Sequence, residues 1–166
     1  MTRASGRQRR LRLGLMLALR YMPLPWPVKH RAIRQVLPKA LLVSVAVIPD
    51  AAGRVLMLRA RYSGHWLLPG GAIEAGEDPL HGLTRECREE LSVSVTVERL
   101  TGIYAMPSSR EMFFAFRCLP LDGPPSLSEE HESWRYVRPD EITTPVRRAV
   151  HDALADFPEV CIGRLP

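Results

Sequence analysis

Gly71–Val93 reads GAIEAGEDPLHGLTRECREELSV. Asp78-Pro79 marks a helix start: Asp caps free backbone donors, and Pro at the first helical position gives up a donor that would go unpaired anyway. Leu80, Leu83, Cys87 and Leu91 then recur at i, i+3, i+7 and i+11, one apolar stripe on a helix of about three turns. Glu86, Glu89 and Glu90 sit at i, i+3 and i+4, so all three project from one side. Like charges so placed repel, costing about a few tenths of a kcal/mol per pair in a bare helix. Such a cluster faces water or something positive. Hard oxygen ligands suit Mg²⁺ or Mn²⁺, with waters and substrate phosphates completing the shell. From the helix alone, a solvated acidic surface is the commoner reading.

Outward from this helix the chain alternates strands and turns. Leu41-Leu42-Val43-Ser44-Val45-Ala46-Val47-Ile48 is an apolar, β-branched run of strand length, closed by Pro49-Asp50-Ala51-Ala52-Gly53. Arg54 to Arg59 reads as its hairpin partner, and a loop rich in Gly and aromatics runs from Tyr62 to Gly76. Val93 to Val97, Ile103 to Tyr104, Met112 to Leu119 and Trp134 to Val137 are further strands. A last helix starts at Thr144-Pro145 and buries Val146, Ala149, Val150, Ala153, Leu154 and Phe157. The predicted order is β-β-loop-α-β-β-β-α, a mixed α/β domain.

At 166 residues the chain suits one ordinary domain. Three cysteines without CxxC spacing suggest neither a disulfide framework nor a zinc site, so a reducing compartment, the cytoplasm, is expected. The net charge of +5 is uneven. Residues 1–40 carry ten Lys and Arg and no acidic residue, which leaves 13 basic against all 18 acidic residues beyond them. We therefore divide the chain into a basic helical extension, 1–39, and a catalytic domain, 40–166. Residues 1–22 read as a basic helix ended by Pro23, Pro25 and Pro27, with a second helix from Val28 to Leu37. The apolar run Leu13–Leu19 spans seven residues between arginines, too few for a membrane span, which needs about 20. The extension either packs on the domain or contacts a polyanion, a membrane surface through residues 1–22 or, more weakly signalled, a nucleic acid.

The frame around the acidic helix resembles the Nudix box, GX5EX7REUXEEXGU. Gly71, Glu77, Arg85, Glu86, Glu89, Glu90 and Val93 match, and Trp66-Leu67-Leu68-Pro69-Gly70 is similar to the family's lead-in. Cys87 replaces an aliphatic residue and behaves as a small hydrophobe. Ser92 replaces the Gly that ends the helix in a left-handed conformation, at a cost of about 1 kcal/mol. The resemblance implies a Nudix-type α/β/α sandwich with a mixed central sheet. It implies a Mg²⁺-dependent (or Mn²⁺-dependent) hydrolase cutting a phosphoanhydride in a nucleoside diphosphate linked to another moiety, by metal-activated water attack at phosphorus. ADP-ribose-like compounds, nucleoside triphosphates and dinucleotides belong to that class.

By the same resemblance Glu86, Glu89 and Glu90 are metal ligands with the Gly70 carbonyl, while Glu77 and Arg85 pair and orient the helix. In the downstream group Glu129-Glu130-His131-Glu132, Glu130 is the chosen catalytic carboxylate, ahead of Glu132 and Glu129. His131 is a proton-transfer candidate or, more commonly for such a residue, a surface histidine. Arg59 and Arg61 are candidates for substrate phosphates and Trp66 for a base, while His65 and His81 read as surface residues. A homodimer is compatible with the sequence. Two other functions remain open: an RNA 5′-end pyrophosphohydrolase that uses the basic arm, and a non-catalytic nucleotide sensor.

Overall fold

The structure, a computed structural model, describes residues 13–14, 17–18, 21–36, 39–155 and 159–165. Most of the helix expected over residues 1–22 lies outside these, as does Phe157. The chain divides into two compact units, Met1–Lys39 and Ala40–Pro166. In the first, helix α1 spans Trp26–Val36, starting two residues earlier than expected. Pro27 fits its opening turn, where a missing N–H costs nothing. Trp26 stacks on His30 one turn on, with ring centroids 5.7 Å apart. Among the described residues no helix is long and apolar enough to cross a membrane.

The second unit holds eight strands: β1 (Leu41–Val47), β2 (Val55–Ala60), β3 (Trp66–Leu67), β4 (Gly70–Ala72), β5 (Val97–Met106), β6 (Glu111–Cys118), β7 (His131–Val137) and β8 (Cys161–Arg164). Helix α2 spans Pro79–Leu91, a 3₁₀ turn Pro139–Glu141, and helix α3 Arg147–Leu154. One sheet is mixed, in the order β4-β1-β6-β5-β8, with β1–β6 and β5–β8 parallel. The other is antiparallel, β3-β2-β7.

Strand alternation sends neighbouring side chains to opposite faces. Val45, Val47, Val55, Met57, Phe113 and Ala115 pack with Ala149, Val150 and Ala153 of α3. Ala46, Ile48, Leu56, Leu58, Phe116 and Cys118 pack with Leu83, Cys87 and Leu91 of α2. Strands buried on both faces read as unbroken apolar runs, as β1 does. Helices thus cover both faces of the sheet layer, the α/β/α arrangement expected.

Four expectations need correction. β1 and β2 are not hairpin partners along their length. The turn forms, with Asp50 N–H donating to the Arg54 carbonyl at 2.8 Å and Gly53 at φ 74°, and Pro49 bridges Val55. Beyond it the strands join different sheets, because each has apolar residues on both faces and needs its own lateral neighbours. The loop from Tyr62 to Gly76 contains β3 and β4. The strands expected at 93–97 and 103–104 are one, β5, with register shifts. The C-terminal β8 was not anticipated.

Candidate active site

The start of α2 is set by Asp78, whose Oδ1 accepts the Leu80 and His81 backbone N–H groups at 2.9 and 3.0 Å. The buried Ser44 hydroxyl of β1 donates to the Pro79 carbonyl at 2.7 Å and ties this end to the sheet. At the other end Ser92 has φ 56° and ψ 23°, and its N–H donates to the Arg88 carbonyl. A side chain in this left-handed conformation is strained. Ser92→Gly is expected to stabilise the fold by about 1 kcal/mol, read as a higher urea midpoint with an unchanged slope. An unchanged midpoint would show that no strain is held there. Leu80, expected in the apolar stripe, is 44% exposed in the first turn. The buried stripe is Gly82, Leu83, Cys87, Glu90 and Leu91.

β4 runs beside this helix at a distance that only glycine permits. A Cβ on Gly70, at φ 127°, would stand 2.1 Å from the Ser44 carbonyl oxygen, and one on Gly71 2.6 Å from the Glu86 carboxyl carbon. The Glu86 carboxylate therefore lies against bare backbone. Arg85 holds the surrounding acids. Its Nε donates to Glu77 Oε1 at 2.9 Å and its Nη2 to Glu77 Oε2 at 3.1 Å and to the Ala72 carbonyl at 2.9 Å. Its Nη1 reaches Glu86 at 2.8 Å and Glu89 at 3.2 Å. These contacts lower the Glu77 carboxyl, through Arg85 first and then the Glu74 backbone N–H, and raise the guanidinium further.

The three helix carboxylates are not equivalent. Glu89 is exposed, Glu86 is partly covered, and Glu90 is 8% exposed. Glu90 Oε2 accepts the Gly70 N–H at 2.7 Å, and Oε1 lies 3.3 Å from His131 Nε2. Burial pushes the Glu90 carboxyl up to about 8, opposed by the Gly70 N–H and reinforced by Glu86, Glu130 and Glu89. That electrostatic coupling places Glu130 in the same acidic field. Its own side chain is exposed, in a segment joined to the end of α2: the Ser126 and Ser128 N–H groups donate to the Leu91 and Glu90 carbonyls.

His131 is buried, not on the surface. Burial lowers its pKa and outweighs the nearby Glu130, and its Nδ1 has no partner among the described residues. Sequence reasoning missed its packing on Glu90; no local pattern marks it. Arg61 is committed to the same loop. Its Nε donates to the Glu129 carbonyl at 2.8 Å, and its backbone N–H donates to the Glu130 carbonyl at 2.8 Å. Arg59 lies 3.5 Å from Glu132. The Arg135 guanidinium covers Trp66 at 4.0 Å from the ring centroid. His65 and His81 are exposed, as expected.

The donor set fits a hard divalent ion of few protein ligands. Among the described residues no three His, Cys, Asp or Glu side chains form a ready-made cage. Mg²⁺ asks for only one or two carboxylates beside waters and phosphate oxygens. A buried carboxyl pushed up by three neighbouring acids is the position that a cation would relieve.

A family model described as the NUDIX domain matches residues 39–157. A MutT-like protein of Streptomyces ambofaciens is 38% identical over 102 residues, covering 61% of this chain and 66% of that protein. The nucleoside triphosphatase NudI of Escherichia coli is 27% identical over 97 residues, 51% of this chain and 69% of that protein. The chain thus spans about two thirds of the length of these relatives. The crystal structure of an ADP-ribose pyrophosphatase from Streptococcus suis shares the fold with a TM-score of 0.63 and 19% identity, covering 75% of this chain and 99% of that one.

Proposed function

The chain belongs to the Nudix hydrolase superfamily, and on that premise we propose that it hydrolyses a phosphoanhydride in a nucleoside diphosphate linked to another moiety. The observation that carries this reading is the buried Glu90 carboxyl, held among Glu86, Glu89 and Glu130 and against the Gly70 backbone. Glu86, Glu89, Glu90 and the Gly70 carbonyl would hold Mg²⁺ or Mn²⁺. When bound, such an ion neutralises phosphate charge and acidifies water. Arg85 and Glu77 fix the helix face that presents these acids. His131, beside Glu90, keeps that carboxyl aimed toward β4. Glu130 takes the proton of the water that attacks phosphorus. The P–O bond to the leaving phosphate breaks, giving a nucleoside monophosphate and a second phosphorylated fragment. Positioning and charge stabilisation dominate the barrier of such a transfer.

The test is a panel of ADP-ribose, nucleoside triphosphates, dinucleoside polyphosphates and nucleotide sugars, read as phosphate released after phosphatase coupling. Turnover with Mg²⁺ or Mn²⁺ on at least one compound, abolished by EDTA, is expected. Silence across the panel favours the sensor reading over the enzyme.

For residues 1–39 we propose a peripheral contact with an anionic lipid surface, favoured by Tyr21 and Trp26, 80% and 69% exposed in an acid-free basic segment. The full chain is expected to sediment with phosphatidylserine vesicles at low salt and to be released as ionic strength rises. No difference from neutral vesicles would sink this, and retention on RNA instead would favour the RNA-end alternative.

A further inference from the structure

A cavity of about 520 Å³ opens beside the acidic cluster. Tyr62, Trp66, Met106 and Phe113 line it, together with the backbone of Gly70 and Gly71. Those two glycines are the residues on which the Glu90 and Glu86 carboxylates rest, so the cavity adjoins the phosphate end of the site.

Sheet register gives its length. Gly70 pairs with Val45 of β1, and Glu111 of β6 pairs with Leu41. Val45, Val43 and Leu41 all line the cavity. Four strand positions span roughly 13 Å, the reach of a nucleotide from its phosphates to the edge of its base. Apolar and aromatic walls at this spacing suit a flat heterocycle.

Two polar groups stand out in the lining. Glu111 Oε2 accepts the Ser109 hydroxyl at 2.5 Å, and among the described residues Oε1 carries no hydrogen bond. Thr144 Oγ1 is buried without a partner. An orphaned buried hydroxyl costs free energy until something pairs with it. An ionised carboxylate only accepts, so whatever meets Glu111 must donate. Thr144 can give or take a hydrogen bond, and so suits a ring nitrogen or a carbonyl beside that donor.

We propose that this cavity seats the substrate's nucleobase and that Glu111 selects bases bearing an exocyclic amino group, with Thr144 pairing the adjacent ring atom. Adenine, cytosine and guanine offer such an amine. Hypoxanthine and uracil place a carbonyl oxygen in its position, against the carboxylate. This rests on the pyrophosphohydrolase reading for the phosphate end, but the base end can be tested without catalysis.

The experiment is an NMR titration of the full chain, in EDTA, with adenosine against inosine and cytidine against uridine. Nucleosides carry no phosphate, so neither metal nor turnover enters. Adenosine and cytidine are expected to bind about tenfold more tightly than their oxo counterparts, as for one hydrogen bond to a charged group. Glu111→Gln should erase the preference, since the amide can present its NH₂ to a carbonyl. Trp66→Ala should weaken all four nucleosides alike. Equal binding within each pair, a preference that survives Glu111→Gln, or no binding at millimolar concentration would each overturn the proposal. Base-blind binding with turnover on the panel leaves the hydrolase standing and removes only this inference. Base-selective binding with a silent panel does the reverse.

Discussion

Glu90→Gln is expected to lower turnover by two or more orders of magnitude, about the loss when a charged group that stabilises the transition state is removed, while making the metal-free protein more stable. The two effects share one cause. The Glu90 carboxyl is buried among Glu86, Glu130 and Glu89, and its folded pKa of about 8 lies above its ordinary 4.5. Between those values the folded chain holds a proton that the unfolded chain has lost. Stability therefore falls as pH rises from about 4.5 to about 8. At pH 7 the cost is on the order of a few kcal/mol as an upper bound. Glutamine keeps the shape and cannot ionise, so unfolding of the variant in EDTA should be nearly flat over that window. His131, itself held neutral by burial, leaves the amide with a partner 3.3 Å away. Divalent cation should raise the melting temperature of the wild type at pH 8 and leave that of the variant unmoved. Chemical denaturation at pH 5 and pH 8, with and without Mg²⁺, and turnover on the best substrate make the measurement. Wild-type turnover in Glu90→Gln would remove this residue from the site. A wild type whose stability is level across the window would show that the carboxyl is not held neutral.

That asymmetry among the three glutamates was not legible in the sequence. Periodicity places Glu86, Glu89 and Glu90 on one side of α2, but it cannot say which of them turns under β4. Glu90 does so because Gly70 and Gly71 let the strand pass close, and because the segment from Ser126 to His131 closes over the end of the helix. Both are long-range facts. The same limit explains the hairpin. A run such as Leu41 to Ile48 announces a strand through its β-branched, two-sided apolarity, yet lateral neighbours are fixed elsewhere, by β6 for β1 and by β7 for β2.

Features set within one turn of chain read well. Asp78 caps α2, Pro79 opens it, and Ser92 closes it in the left-handed conformation that the glycine usual there would adopt more easily. Strands of two or three residues, β3 and β4, carry no period to detect. The lining of the nucleobase cavity comes from six separate stretches of chain. Glu111 and Thr144 therefore had no signature at all until the sheet brought them together.

Arg85→Lys is expected to cost about 10²-fold in turnover, the scale of a misplacement near 1 Å, although the charge is kept. One planar guanidinium meets Glu77 through two nitrogens, Glu86 and Glu89 through a third, and the Ala72 carbonyl of β4. It joins the loop before α2, the helix and the strand beside it. An ammonium is a point donor and cannot span that fork. In the lysine variant Glu77 would be released from α2, and Glu86, Glu89 and Glu90 would repel one another with no cation fixed among them. Arg85 is a positioning residue, so its loss should appear as a higher Mg²⁺ concentration for half-maximal rate as well as a lower kcat, and excess Mg²⁺ should restore part of the rate. A residue needed only for folding would lower the melting temperature and the amount of active protein without moving the Mg²⁺ midpoint. Arg88→Lys, one turn on and exposed to solvent, is the matched control and should leave both unchanged. If Arg85→Lys kept the wild-type rate and Mg²⁺ midpoint, the acidic face would be held by the packing of Leu83, Cys87 and Leu91 alone, and the guanidinium would be an incidental surface clasp.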